Sequence, residues 1–463
     1  MIPRHWALLG AAALAAPLAG ANAFAGDSLS NIALDPGAFY FSVNGRQSFL
    51  LGRNPTGRNA KEFEPLFQWA SESGETLLRI HVCTGIQPQA PAGEADEAWL
   101  EAWSEVFTNA RERGLFVLPV LSVWAQWNDG SDGRQWAGWE RNPYNAALGG
   151  PARHPADLFR DSECQRLWLD WLEQVVRRWS AHDNLVAWEV FSELDLATGA
   201  SEAEAVEFFE RAAAAIRRED SRARPITAST AGVHEWPLLF RSPGLDIVQI
   251  HPYANPPRFH GDLDAMILEL VRSRRQKYGK PVLIGESGLD ARGLKGTLVE
   301  SPRAPIGLAN AIWAAAVSGA MAGRMLWWED GYRIYPGVEV KTRSWNLAKP
   351  VARFVEDVNF AGMKPLAVDA SDRVLGGALA SENAIIGWFR DARCAAPDWP
   401  VRRLEGAEIE FDLPSAESEW LLQFFDTQSG GAFEKKTIRQ ENRRIRIALP
   451  AFQNSVALKM RAK

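Results

Sequence analysis

From about residue 40 to residue 361, short apolar runs alternate with stretches whose apolar positions recur at helical spacing. "QSFLLGRN" is followed by "KEFEPLFQWASESG", and "TLLRIHV" by "DEAWLEAWSEVFTNARERG". "LFVLPVLSVW", "NLVAWEVFSEL", "RPITAST", "LDIVQIHPY", "KPVLIGESG" and "RMLWWEDGY" repeat the pattern, each with a helical stretch behind it. Near-continuous apolar strands separated by helices predict a parallel sheet buried on both faces. Eight such units over this length predict a closed (β/α)8 barrel, an α/β fold. A doubly wound open sheet is the rival, but no strand opens into a G-x-G-x-x-G or a phosphate-binding loop.

After residue 364 the period shortens. "RVLGGALAS", "NAIIGWFRDA", "AEIEFDLP", "WLLQFFDTQSGGAF", "RRIRIALP" and "SVALKMRA" alternate between turn residues and predict a small antiparallel β-sandwich. The first residues differ again. Arg4 precedes an Ala- and Leu-rich run that ends in "ANA" and "AFA", the pattern of a secretory signal peptide cut after Ala23 or Ala25. The expected division is a signal peptide at 1–25, a barrel at 26–363 and a sandwich at 364–463. The product would be exported, to the periplasm or the medium. No later segment offers ~20 unbroken apolar residues, so no membrane span is expected once the signal is removed.

Composition narrows the partners. Net charge is −6 with acids and bases interspersed and no basic stripe, which argues against nucleic acid. Three cysteines, Cys83, Cys164 and Cys394, do not make a disulfide framework. Seven histidines are scattered without ligand spacing, so no metal and no cofactor is expected. Twenty tryptophans, among them Trp124, Trp127, Trp136, Trp327 and Trp328, suit the apolar faces of sugar rings, although many must be core. Trp388, Trp399 and Trp420 of the sandwich read equally as core or surface. Oligomeric state is not legible.

Chemistry in such a barrel sits at the carboxyl ends of the strands. That rule selects Glu193 after strand 4, Glu286 after strand 7, Arg79 and His81 on strand 2, His251 and Tyr253 after strand 6, and Trp327 and Trp328 at strand 8. Two carboxylates on one rim suit glycoside hydrolysis; a gap of about 5–5.5 Å implies retention, and about 6.5–9.5 Å inversion. Glu189, deeper in strand 4, reads as a structural carboxylate and a partner for Arg79. Asp195 reads as a loop acid or helix cap.

The ordered set of Arg79, the Ser192–Glu193 pair closing strand 4, His251-x-Tyr253, Gly285-Glu286-x-Gly288 and Trp327 resembles clan A glycoside hydrolases. It looks most similar to the family 5 cellulase- and mannanase-like enzymes. The resemblance covers residues ~40–361. It implies an oligo- or polysaccharide substrate, Glu193 as general acid/base and Glu286 as nucleophile. Tyr253 and Arg79 would support Glu286, His251 would line the cleft, and Trp327 would stack on the sugar, with Trp124 a further subsite candidate. One position departs: the family usually carries Asn before the acid, and this chain has Ser192. That departure leaves open a catalytically weak or inactive carbohydrate-binding barrel.

Overall fold

A computed structural model of the chain describes residues 31–83, 90–130, 138–293, 297–328, 344, 346–415, 419–439 and 442–463. The expected signal peptide and Trp136 lie outside these residues. The described chain forms a closed eight-stranded parallel barrel followed by antiparallel sheets. The barrel strands, in order around the barrel, are β1 (Leu50–Arg53), β2 (Leu77–His81), β3 (Phe116–Val120), β4 (Trp188–Glu189), β5 (Ile226–Thr230), β6 (Ile247–Ile250), β7 (Val282–Ile284) and β8 (Ala322–Gly323). β8 closes the ring by pairing with β7 and with β1. A small sheet of Ile32–Ala33, Phe41–Val43 and Arg46–Ser48 precedes β1, and its Tyr40 packs on Phe360 at 4.9 Å between ring centroids.

Side chains at the helix starts fix where the helices between strands begin. Asn59, Asp96 and Asp161 each accept from a backbone N–H three residues on, and Ser201 and Glu204 form a capping box. Each such cap stabilises its helix by about 1 kcal/mol.

Two strands are shorter than their apolar runs predict. β4 keeps two ladder residues of "NLVAWEVFSEL"; a bridge from Val123 to Ser192 carries the pairing on, and at Glu193 the backbone turns into the left-handed region (φ 56°) and leaves the strand direction. β8 lies just before "RMLWWEDGY" rather than within it. Arg324 and Met325 both have positive φ and end the ladder, and only a single bridge, Ser287 to Leu326, continues it.

The sandwich has a six-stranded sheet in the order 364–366, 374–380, 384–391, 455–462, 419–426, 432–439, opposed by strands 369–370, 408–412 and 444–448. Strand Ala384–Asp391 shows why the two domains pack directly. Ile385 and Phe389 face the sandwich core, whereas Ile386 and Trp388 join the barrel core, so no face is left polar. The helix Ala304–Ser318 lies beneath it and is apolar all round, as a helix covered on both sides must be. A Cβ at Gly307 would sit 2.6 Å from the Trp399 indole, so close contact there requires glycine. Trp388, Trp399 and Trp420 are all buried, which resolves them as core. Among the described residues no helix is long and apolar enough to cross a membrane.

Candidate active site

The carboxyl end of the barrel carries a buried polar layer. Arg79, on β2, is fully buried and stands at its centre. Its Nε and Nη2 donate to both oxygens of Glu189 at 2.7 Å, and Nη1 donates to Glu286 Oε1 at 2.8 Å. Nη1 also reaches Asn54 Oδ1 at 3.1 Å, and Nη2 reaches Ser192 Oγ at 2.8 Å. Arg79 thus contacts Glu189 and Glu286 alike. Against the penalty of burial, the two carboxylates raise the guanidinium above its usual pKa, so the charge is permanent. Asn54 extends the layer by donating to the carbonyls of Gly285 and Met325, at 3.0 and 3.1 Å.

Glu286 receives a second donor, the Tyr253 hydroxyl, 2.7 Å from Oε2. Both of its oxygens are thus aligned by neighbours, and its side chain is 8% exposed. Glu193 is held differently. Its left-handed backbone is pinned by an N–H bond to Ser229 Oγ at 2.9 Å, and its Oε1 lies 2.9 Å from His251 Nδ1. Burial pushes Glu193 up to about 7, reinforced by the negative charge of Asp195 and opposed by Arg79. Burial pushes His251 down to about 4, a trend Glu286 opposes and Arg79 reinforces, so the ring is neutral. His81 is likewise held well below its usual range by burial and by Arg79.

These groups open into one cavity of about 760 Å³. Ser192, Glu193, Tyr253, Glu286, Trp327 and Trp124 all line it, as do His81 and His234. His251 stands directly behind Glu193. Trp327 packs edge-on to His81, 5.1 Å between centroids. A regular strand would turn Trp328 away from the side that Trp327 faces, yet both line the cavity, because the backbone after Arg324 is no longer an alternating strand. Trp127 is not a wall residue. It is buried and donates to Ser122 Oγ at 3.1 Å.

Asp195, read from the sequence as a loop acid or helix cap, accepts from Ala231 N at 2.8 Å and lies 2.7 Å from His234 Nδ1, tying together the loops after β4 and β5. Other site residues escaped the sequence reading. Asn54, Ser229 and Gln249 also belong to the polar layer. Each is a polar residue in or beside an apolar run, and that signal was present in the sequence. Glu193, His251 and Glu286 bring one donor atom each within 4.8 Å of one another. A divalent ion would have to displace hydrogen bonds already made by Arg79, Tyr253 and His251, and would meet the fixed charge of Arg79. The set is better matched to moving a proton than to holding a cation.

The fold, a (β/α)8 barrel followed by a β-sandwich, is shared with solved glycoside hydrolases. Among solved structures, the chain is similar to a glycoside hydrolase family 5 protein from Bacteroides vulgatus, with 13% identity, a TM-score of 0.64 and 93% of each chain covered. It is similar also to a family 30 xylanase from Clostridium acetobutylicum, with 15% identity, a TM-score of 0.52, and 90% of this chain and 97% of that one covered. A third is the endo-β-1,4-mannanase of Thermotoga petrophila, with 14% identity, a TM-score of 0.52, and 86% and 98% covered. No protein-family model matches the sequence, and no curated protein sequence does.

Proposed function

We propose that the protein is an exported glycoside hydrolase that cleaves β-linked glycans, cellulase- or mannanase-like, with retention of anomeric configuration. The observation that carries this reading is the approach of Glu193 and Glu286. One oxygen of each lies within 4.8 Å of one of the other's across the floor of the cavity, a close approach that supports retention over inversion.

The environments of the two acids support a division of labour. Glu193, pushed up to about 7, keeps its proton below neutrality and a substantial protonated fraction at pH 7, which suits the acid role. Glu286, gripped by Arg79 and Tyr253, suits the nucleophile. In the first step a Glu286 oxygen bonds to the anomeric carbon while the bond to the leaving oxygen breaks and takes the Glu193 proton. In the second, Glu193, now a carboxylate, removes a proton from water as that water bonds to the anomeric carbon and releases Glu286. Two inversions give net retention. Ser192 accepts from Arg79, which leaves its own O–H to donate toward the cavity, a shorter reach than an asparagine amide would have.

The test is a panel of β-glucans, β-mannans and xylans with NMR of the first-formed anomer. Wild type is expected to release the β-anomer first, and Glu286→Gln to lose turnover by on the order of 10^4-fold or more. Undiminished cleavage by Glu286→Gln would refute the nucleophile assignment. Glycan binding without turnover by wild type would identify a carbohydrate-binding barrel instead.

A further inference from the structure

Gln249 interrupts the apolar strand β6, where Ile247, Val248 and Ile250 surround it. It is fully buried, two residues before His251. A buried amide costs free energy unless it is matched, so its placement needs a reason. Its Nε2 lies 3.3 Å from His251 Nε2. Position 285 leaves room for it only as glycine, since a Cβ there would fall 2.5 Å from the same amide nitrogen.

An amide NH2 donates and cannot accept. The imidazole nitrogen facing it must then be the bare one, and the single proton of the neutral ring falls on Nδ1. The opposite end of the amide, Oε1, has no hydrogen-bond partner among the described residues. Turning the amide over would leave two N–H donors orphaned there instead of a carbonyl, and buried orphan donors are the rarer and costlier case. Nδ1–H points at Glu193 Oε1, 2.9 Å away. With Oε1 accepting from the ring, the carboxyl proton of Glu193 belongs on Oε2.

We infer that Gln249 is a positioning residue: it fixes the Nδ1–H tautomer of His251 and thereby selects Glu193 Oε2 as the oxygen that gives and retakes the proton. The catalytic half of this inference rests on the two-glutamate reading above; the tautomer itself does not. The charged and titratable groups around the ring are Glu193, Glu286, Arg79, Glu189, Asp195 and His81, and the two that pair with it, Glu193 and Glu286, do so through Nδ1.

Long-range 1H–15N correlation spectra of the full-length protein with 15N-labelled histidine read the tautomer directly, with His251→Asn to assign the signal. At pH 7 His251 is expected to carry its proton on Nδ1. Gln249→Met removes the donor at similar volume; the ring should then populate both tautomers, and kcat should fall about 10-fold with KM little changed, the scale of losing a partner that orients a functional histidine. Gln249→Glu keeps the side-chain shape should the methionine variant not fold. Its carboxylate only accepts, so a proton must appear on Nε2. A wild-type ring protonated on Nε2, or an Nδ1–H pattern unchanged in either folded variant, overturns the inference. An Nδ1–H ring in a wild-type protein that cleaves no glycan would instead remove the glycosidase reading and the catalytic half with it, and leave the tautomer assignment standing.

Discussion

The mouth of the barrel and the seam between barrel and sandwich both bury arginine against carboxylate, with opposite bookkeeping. In the seam, Arg390 pairs with Asp264, both nearly inaccessible, with Asp262 3.6 Å from its Nη2, and its Nη1 donates to the carbonyls of Asp391 and Ala392. Lys459 and Arg461 share Asp357, so that across the seam the bases Arg390, Lys459 and Arg461 are matched in number by the acids Asp262, Asp264 and Asp357. In the mouth, Arg79 alone serves Glu189 and Glu286, while Glu193 and Asp195 stand close by. The difference teaches that burial of charge is not the mark of a site. What marks it is an uncompensated excess of one sign facing a cavity, because that excess holds a proton where chemistry can use it.

Paired substitutions would break or sharpen this contrast. Arg79→Met and Arg390→Met each strand a buried carboxylate, and each is expected to cost about 3–5 kcal/mol in denaturant unfolding. Only the first should touch function. Turnover by folded Arg79→Met is expected to fall by about 10²–10³-fold, the scale of losing one preorganised electrostatic partner. Any residual activity should extend to higher pH, because Arg79 is a group that lowers the Glu193 pKa. Folded Arg390→Met should keep wild-type kcat. Equal losses of activity in the two variants would erase the distinction.

Glu193→Gln sharpens the contrast from the other side, through the sign of its pH dependence. The carboxyl rises from about 4.5 in the unfolded chain to about 7 in the folded one. Below pH 4.5 both states are protonated and the acid costs nothing. Between 4.5 and 7 the unfolded state ionises first, and folding loses stability; above 7 the loss is complete, about 3 kcal/mol. Glu193→Gln should therefore be inactive yet more stable than wild type above pH 7, and about equally stable at pH 4. Wild-type kcat/KM should decline as pH rises through about 7. His251 runs the other way. A ring pushed down to about 4 is destabilising in acid, with its full contribution present above pH 6.5 and lost as pH falls toward 4. A Glu193→Gln protein no more stable than wild type at pH 8 would show that this carboxyl is not held protonated by its surroundings.

Much of this is legible in the sequence. The barrel followed from the alternation of apolar runs and helical stretches, and the sandwich from the change of period after residue 364. The rule that function gathers at the carboxyl ends of the strands selected Glu193, Glu286, Arg79, Tyr253 and Trp327, all of which the fold places in or directly beneath one cavity. What stayed hidden depended on departures from regular strands. The positive φ of Arg324 and Met325, which turns both Trp327 and Trp328 toward the cavity, has no periodic signature. The link from Asp195 to His234 joins residues 39 apart in sequence and exists only once two loops meet. Gln249 was visible as a polar residue in an apolar strand, but its meaning needed the position of His251.

The tryptophans give the smallest and most local form of the same comparison. Trp399 in the seam is sealed against Gly307, whereas Trp124 stands partly exposed in the cavity wall. An indole that stacks on a sugar ring through partly dry contact contributes about 1 kcal/mol, or roughly fivefold to tenfold in binding. Trp124→Ala should raise KM for an oligosaccharide by about that factor and leave kcat and unfolding midpoint near wild type. Trp399→Ala should leave KM unchanged, and its entire effect should fall on stability, because nothing that binds at the mouth can reach it. A Trp124→Ala protein with unaltered KM for every oligosaccharide in the panel would move the subsite away from the β3 side of the cavity and leave Trp327 and Trp328 as its remaining aromatic walls.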